Sequence, residues 1–239
     1  MNEENKIHKF LDAFQKLEDI INERGDNKAV FRDALTIFAQ RNSFVKSRMG
    51  EILDLYALRN VYSHMQRGKY LAALTNEAVS SLQTILETIK YPPTTLDVFG
   101  PNAKFGIFEA SVDDLTRNVV SEMTKNEYTH VPVWDGDKMI GVFAYNSFFQ
   151  WVNYELNARQ SSPYFEKEHM SDVNRRYLNN PVVRFQFVKE DDPAHEIPSI
   201  FQKSTEQQRR LDCVLITKNG QRDEKITGII TPWDLYKLS

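Results

Sequence analysis

The run Gly228-Ile229-Ile230-Thr231-Pro232-Trp233-Asp234-Leu235 sets a hydroxyl and a carboxylate three positions apart, directly after an apolar stretch. Read as a strand that turns straight into a helix, it lets Thr231 and Asp234 point the same way if the helix starts between them. A carboxylate accepts from sugar hydroxyls and a threonine hydroxyl both donates and accepts, so the pair suits a ribose. A second cluster, Arg59-Asn60-Val61-Tyr62-Ser63-His64, puts an arginine five positions ahead of a histidine, with an asparagine directly after the arginine. An imidazole that titrates near neutrality can take or give a proton. A guanidinium can clamp a phosphate and stabilise the charge that develops on it.

Other chemistries have little to stand on. The one cysteine, Cys213, excludes an intramolecular disulfide and a multi-cysteine zinc site, and its apolar surroundings suit a buried small hydrophobe. There is no Gly-rich phosphate loop, no Gly-x-Ser-x-Gly elbow and no His-rich metal motif. The pairs Asp113-Asp114 and Asp191-Asp192 read as helix starts rather than metal ligands. A net charge of −3 gives no bulk drive toward nucleic acid or an anionic membrane, and no DNA partner is expected. No apolar stretch approaches the ~18 residues that span a bilayer, and the first residues do not read as a signal peptide, so a cytoplasmic chain is expected.

The elements that must carry these residues fall into two halves. All 9 prolines and all 3 tryptophans lie after residue 91, and Tyr91-Pro92-Pro93-Thr94-Thr95 reads as a linker. The first half reads as four amphipathic helices with short connections, a bundle. The first carries Ile7, Phe10, Leu11, Phe14, Leu17, Ile20 and Ile21, and Gly25 could end it in a left-handed conformation. The second runs from about Lys28 to Val45, and the third through Met49, Ile52, Leu53 and Tyr56 toward Arg59. The fourth follows Gly68 and carries Leu71, Leu74, Ala78, Leu82, Ile85 and Ile89. Tyr56, Tyr62 and Tyr70 fit a core or interface better than a base-stacking platform.

The second half alternates strand, helix, strand, strand, helix, twice. In the first copy these are Lys104–Phe108, a helix opened by Ser111, Tyr128–Trp134, Lys138–Tyr145, and a helix from about Ser147 to Leu156. In the second they are Val182–Val188, a helix opened by Asp191-Asp192-Pro193, Leu211–Thr217, Lys225–Ile230, and a helix begun by Asp234. Gly141-Val142-Phe143 corresponds to Gly228-Ile229-Ile230, and a repeat of this kind implies two units that bury one another's sheets.

This pattern resembles a pair of CBS domains over roughly residues 94–239. The resemblance rests on Val131-Pro132-Val133-Trp134-Asp135-Gly136 with Gly141-Val142-Phe143, and on Cys213-Val214-Leu215-Ile216 with Gly228 to Leu235. It implies a disc-like, often dimeric module that binds adenine nucleotides (AMP, ADP or ATP) between the copies, with Thr231 and Asp234 on the ribose. In the first copy the aligned run is Ala144-Tyr145-Asn146-Ser147, which lacks both the hydroxyl and the carboxylate at the matching places. At most one ordinary nucleotide site per chain is therefore expected, with Lys203, Arg209, Arg210 and His130 as phosphate candidates.

Residues 1–91, with Arg59 and His64 at the shortest spacing of the motif, resemble the HEPN family. That resemblance implies metal-independent RNA cleavage at a homodimer interface: His64 as acid or base, Arg59 on the phosphate, Asn60 orienting. A variant branch of that family has a tyrosine two positions after the histidine; here the residue is Gln66. The expected organisation is an α+β multidomain chain: a HEPN-like four-helix bundle over 1–91, a linker and first CBS (βαββα) domain over 92–160, and a second CBS domain over 161–239. The function these resemblances imply is an adenine-nucleotide sensor controlling a ribonuclease. The alternative is a non-enzymatic sensor whose helices mediate dimerisation or partner binding.

Overall fold

In the computed structural model the chain is described over residues 3–28, 30–64, 74–100, 106–159, 167–173, 175–178, 182–207 and 210–238. It divides into two compact units, Met1–Pro93 and Thr94–Ser239.

The first unit is helical: α1 Glu3–Arg24, α2 Phe31–Arg41, α3 Ser43–Ser47, α4 Met49–His64 and α5 Asn76–Lys90. Apolar residues at helical spacing on α1, namely Ile7, Phe10, Phe14, Leu17 and Ile21, are all buried. They meet Leu35 and Phe38 of α2, Ile52 and Leu55 of α4, and Leu82 and Ile85 of α5 in one core. Tyr56 stacks on Phe31 with centroids 4.4 Å apart, and Tyr62 meets Phe10 edge-on, so both tyrosines belong to that core.

Three details differ from the helix boundaries expected from periodicity. The second helix breaks at Asn42, whose side chain accepts from the Val45 N–H at 2.9 Å and caps α3 instead of continuing α2. Gly25 does not supply the left-handed turn; Asp26 and Asn27 do, with φ of 61° and 51°, as short polar side chains tolerate. Gly25 is needed for contact, because a Cβ there would collide with the backbone of Ala34. The last helix starts at Asn76, capped by Thr75, so Leu74 precedes it. Gly68, Tyr70 and Leu71 lie outside the described residues.

The second unit holds two three-stranded sheets built alike. The first orders β1 Ala110–Ser111, β2 His130–Asp135 and β3 Lys138–Ala144; the second orders β4 Phe185–Lys189, β5 Cys213–Thr217 and β6 Ile226–Ile230. In each the first pair is parallel and the second antiparallel. The parallel pairs need a crossover. Helix α7 (Thr116–Lys125) supplies it in the first copy, and a 3-10 turn followed by α10 (Ile197–Glu206) in the second. Glycines at positive φ close the two hairpins, Gly136 at 58° and Gly220 at 72°. After β3 comes α8, Tyr145–Arg159; after β6 comes the 3-10 segment Pro232–Leu238. The mixed α+β architecture and the doubled order are thus present, except that the last element is a 3-10 segment beginning at Pro232 rather than a helix begun by Asp234, whose carboxylate is taken up in the turn with Thr231. The first strand is shorter and later than expected, at Ala110–Ser111, and Lys104 and Phe105 lie outside the described residues. Ser111 ends that strand rather than capping a helix, because the Asp114 carboxylate takes its N–H at 2.8 Å and holds a turn until α7 begins at Thr116.

The segments preceding each copy are exchanged. Helix α6 (Thr95–Phe99) comes before the first sheet in sequence but bonds to the second. The Thr95 N–H donates to the Asp192 carbonyl at 2.8 Å, and its hydroxyl donates to the Lys189 and Glu190 carbonyls. The turn Met170–Asp172 bonds to the first copy, Met170 N–H to Asp114 O and Ser171 N–H to Val112 O, both at 2.8 Å. Each segment ends on the paired glycine of the opposite sheet. A Cβ on Gly141 would strike the Leu178 carbonyl of α9 (Arg175–Leu178), and one on Gly228 would lie 3.2 Å from the Phe99 carbonyl. Met139, Val142, Val183, Cys213, Leu215 and Ile226 fill the layer between the sheets. Cys213 is fully buried there and burial pushes its thiol pKa up, consistent with a packing role.

Candidate functional site

The junction after β6 is a compact hydrogen-bonded turn. Both the N–H and the hydroxyl of Thr231 donate to Oδ2 of Asp234, each at 2.8 Å, and the Asp234 N–H returns to the Thr231 carbonyl at 3.0 Å. The expected convergence of the two side chains is present, and it has a chemical consequence. With the Thr231 proton committed to Asp234, the threonine oxygen offers lone pairs outward, and Oδ1 of Asp234 is a second acceptor. Two adjacent acceptors match the two donors of a ribose cis-diol. Oδ1 also lies 3.4 Å from the Lys237 ammonium, a partner at i+3 that the sequence reading passed over. The Asp234 side chain keeps 27% of its surface exposed.

Thr231 and Asp234 line a cleft of about 450 Å³ within the second unit. Its apolar wall comes from Phe99, Ile107, Phe108, Tyr128 and Ile229, with Phe108 and Tyr128 stacked at 5.7 Å. Gly228 contributes bare backbone. A neighbouring cleft of about 680 Å³ meets it along a shared wall of Thr129, His130, Thr231 and Trp233, and is closed by Ala144, Tyr145, Asn146, Arg210 and Asp212. Burial pushes the His130 imidazole pKa down; Asp212 and Asp234 oppose the shift and Arg210 reinforces it. His130 is therefore a neutral donor–acceptor at neutral pH. Trp233 is 85% exposed on the rim of both clefts.

The phosphate candidates separate. His130 lines the Thr231–Asp234 cleft, whereas Arg210 lines only its neighbour and sits 3.6 Å from Asp212. Lys203 lines neither; it belongs to a third cleft on the second sheet. Arg209 lies outside the described residues.

The turn after β3 shows what replaced the pair in the first copy. Ser147 is fully buried; its hydroxyl accepts the Ala144 N–H and donates to the Ala144 carbonyl, both at 2.7 Å. It closes the same turn as Asp234, but presents no carboxylate oxygen to a ligand.

In the helical unit, Arg59, Asn60 and His64 lie near and at the C-terminal end of α4. The Arg59 guanidinium forks, with Nη2 on Glu18 of α1 at 2.9 Å and Nη1 on the Asn60 side-chain oxygen at 3.0 Å. His64 is exposed at the last residue of the helix, and no hydrogen bond joins it to Arg59 or Asn60 among the described residues. Five positions around a helix put Arg59 and His64 on different sides, while Asn60 and His64 share one. Glu18 is the partner that the sequence reading missed, since forty-one positions separate it from Arg59.

No helix among the described residues is long and apolar enough to cross a membrane, and no group of histidine, cysteine, aspartate or glutamate there could hold a metal ion. No protein-family model matches the chain, and no curated protein matches it. Solved structures that resemble it include several proteins with CBS domains. One from Burkholderia ambifaria is 17% identical with a TM-score of 0.40, covering 58% of this chain and 85% of its own. The protein AcuB from Vibrio cholerae is 16% identical, TM-score 0.42, covering 61% and 88%. CBSX2, solved in complex with AMP, is 14% identical, TM-score 0.41, covering 61% and 94%.

Proposed function

We propose that residues 94–239 form a CBS pair that senses an adenine nucleotide (AMP, ADP or ATP) and that this regulatory unit controls the helical unit, a HEPN-like four-helix bundle. The observation that carries the proposal is the Thr231–Asp234 turn, whose two outward acceptors line a cleft with an apolar wall. The ribose sits on Thr231 and Asp234, and the base lies against Phe108, Ile229 and the Gly228 backbone. The copy-one turn, closed by Ser147, carries no equivalent ribose site. On this reading the chain works as a homodimer, and His64, Arg59 and Asn60 cut RNA without a metal. His64 moves the proton, Arg59 holds the phosphate and Asn60 orients it.

A second reading has its own support. Arg59 is already engaged by Glu18 and Asn60, which suits a guanidinium that braces α4 against α1. The helical unit is then a dimerisation or partner-binding platform and the protein a non-enzymatic sensor.

One experiment separates them: cleavage of labelled RNA in EDTA, with and without AMP, ADP or ATP, by wild type, His64→Ala and Asp234→Asn. The ribonuclease reading expects cleavage that His64→Ala loses by at least about a hundredfold, the range of a general acid–base group. It also expects a nucleotide effect that Asp234→Asn abolishes. Nucleotide binding without cleavage by any of the three leaves the platform reading standing.

A further inference from the structure

The two clefts beside His130 are contiguous, but only one of them carries the Asp234 carboxylate. Thr231 lines both, with Thr129, His130 and Trp233, whereas Asp234 lines only the smaller. Each volume, about 450 Å³ and about 680 Å³, falls in the range that holds one small ligand. A nucleoside with its base against Phe108 and Ile229 occupies the first and leaves the second to be filled. What could fill it is set by its wall. Ala144, Val183, Phe201 and Leu211 are apolar, and Tyr145 and Trp233 present exposed rings that pack on no other ring among the described residues. Such a wall suits a flat heteroaromatic group better than a run of phosphates, because an aromatic face offers stacking to any base. Polar groups gather instead along the boundary. Thr129 Oγ1 and His130 Nδ1 are bonded at 2.9 Å on the shared wall. Arg210 lines the second cleft; its exposed guanidinium reaches Asp212 only at 3.6 Å, an ion pair loose enough to be exchanged for a phosphate oxygen.

We propose that the two clefts together bind one dinucleotide, two nucleosides joined through their phosphates. This rests on the ribose reading of Thr231 and Asp234 and extends it. The first nucleoside lies on that turn, the phosphates cross the wall of Thr129 and His130 toward Arg210, and the second base lies against Tyr145. The second ribose meets no counterpart of the Asp234 carboxylate, since the Ser147 hydroxyl is spent on its own turn, so the two ends of the ligand are held unequally.

The test is calorimetric titration of the full chain with diadenosine tetraphosphate, ATP and AMP. The dinucleotide is expected to bind once per chain and at least about tenfold tighter than either mononucleotide, because its second base arrives as a linked group. Tyr145→Ala is expected to weaken the dinucleotide at least about fivefold more than it weakens AMP, the lower end of what one base–aromatic stack contributes, while Tyr145→Phe keeps the ring and the affinity. Tyr145 is the exposed first residue of α8, so both variants should fold, and their melting curves check that. ATP that matches the dinucleotide, two dinucleotides per chain, or a Tyr145→Ala loss that AMP shares equally would overturn the proposal. Asp234→Asn separates it from the reading beneath it and should weaken AMP and the dinucleotide together. If it weakens neither, the ribose site itself fails and the proposal with it; if it weakens both but the dinucleotide holds no advantage over ATP, the proposal fails alone.

Discussion

The two copies of the strand–helix–strand–strand–helix unit make the same turn with different atoms. After β6 a carboxylate takes the N–H and the hydroxyl of Thr231; after β3 a serine hydroxyl takes the N–H of Ala144. The backbone requirement is identical, an acceptor three residues on for a donor that would otherwise be orphaned. What differs is the surplus. Asp234 satisfies the turn with one oxygen and has another facing a cleft, whereas Ser147 spends its whole hydroxyl on the turn and is buried. Closing the turn and leaving a side-chain acceptor over are thus separable, combined in one copy and reduced to closing the turn in the other. The same economy recurs elsewhere in this unit: Asp114 and Asp192 each take a backbone N–H three residues back, from Ser111 and Lys189.

The largest effect should come from the paired glycines. Gly141 faces the backbone carbonyl of Leu178, which cannot move aside, while Gly228 faces mainly the flexible end of Ile216. Gly141→Ala should therefore cost about 3 kcal/mol of unfolding free energy and Gly228→Ala about 1, within the range of overpacked cores. Urea denaturation of the two variants measures both. Equal losses would mean that the exchanged segments do not bear on the two sheets as described.

A smaller effect is expected at the turns. Ser147→Ala leaves the Ala144 N–H buried without its acceptor, which should cost about 1–2 kcal/mol. It should leave nucleotide affinity unchanged, since Ser147 lines neither cleft beside His130. Isothermal titration beside denaturation checks the split. A change in affinity with little loss of stability would contradict the division of roles between the copies.

Much of this comparison was legible in the sequence, for physical reasons that differ by region. Strands announce themselves by continuous apolar runs, so Val131–Val133 and Cys213–Ile216 were readable, as was the Thr231–Asp234 spacing. Whether a residue acts locally was harder. Ser111 and Asp114 look like a helix start but make a turn, since the same side-chain-to-backbone bonds serve both. Gly25 looks like a terminator but is a contact. Partners distant in sequence were invisible: Glu18 for Arg59, and the Thr95 segment on the second sheet. Periodicity reports which face a helix buries, not which neighbour covers it.

The smallest effect should come from His130, which stands on the wall common to the two clefts. Burial lowers its pKa in the folded chain, with Asp212 and Asp234 opposing and Arg210 assisting. In the unfolded chain an imidazole titrates near 6.5. As pH falls below about 6.5 the unfolded chain takes up this proton first, so acid favours unfolding. The slope continues until pH reaches the lowered folded value, where both states are protonated. Unfolding free energy should thus decline between pH 7.5 and pH 5.5, and His130→Gln should remove the part of the decline that belongs to this side chain. Glu224 does not obscure the reading. Its hydrogen bonds to Asn219 hold its pKa down to about 2, so its contribution is lost only below the unfolded value of 4.5. If His130→Gln leaves the slope unchanged, the imidazole is solvated rather than buried, and the wall between the two clefts is more open than the contacts of Thr129, His130 and Thr231 imply.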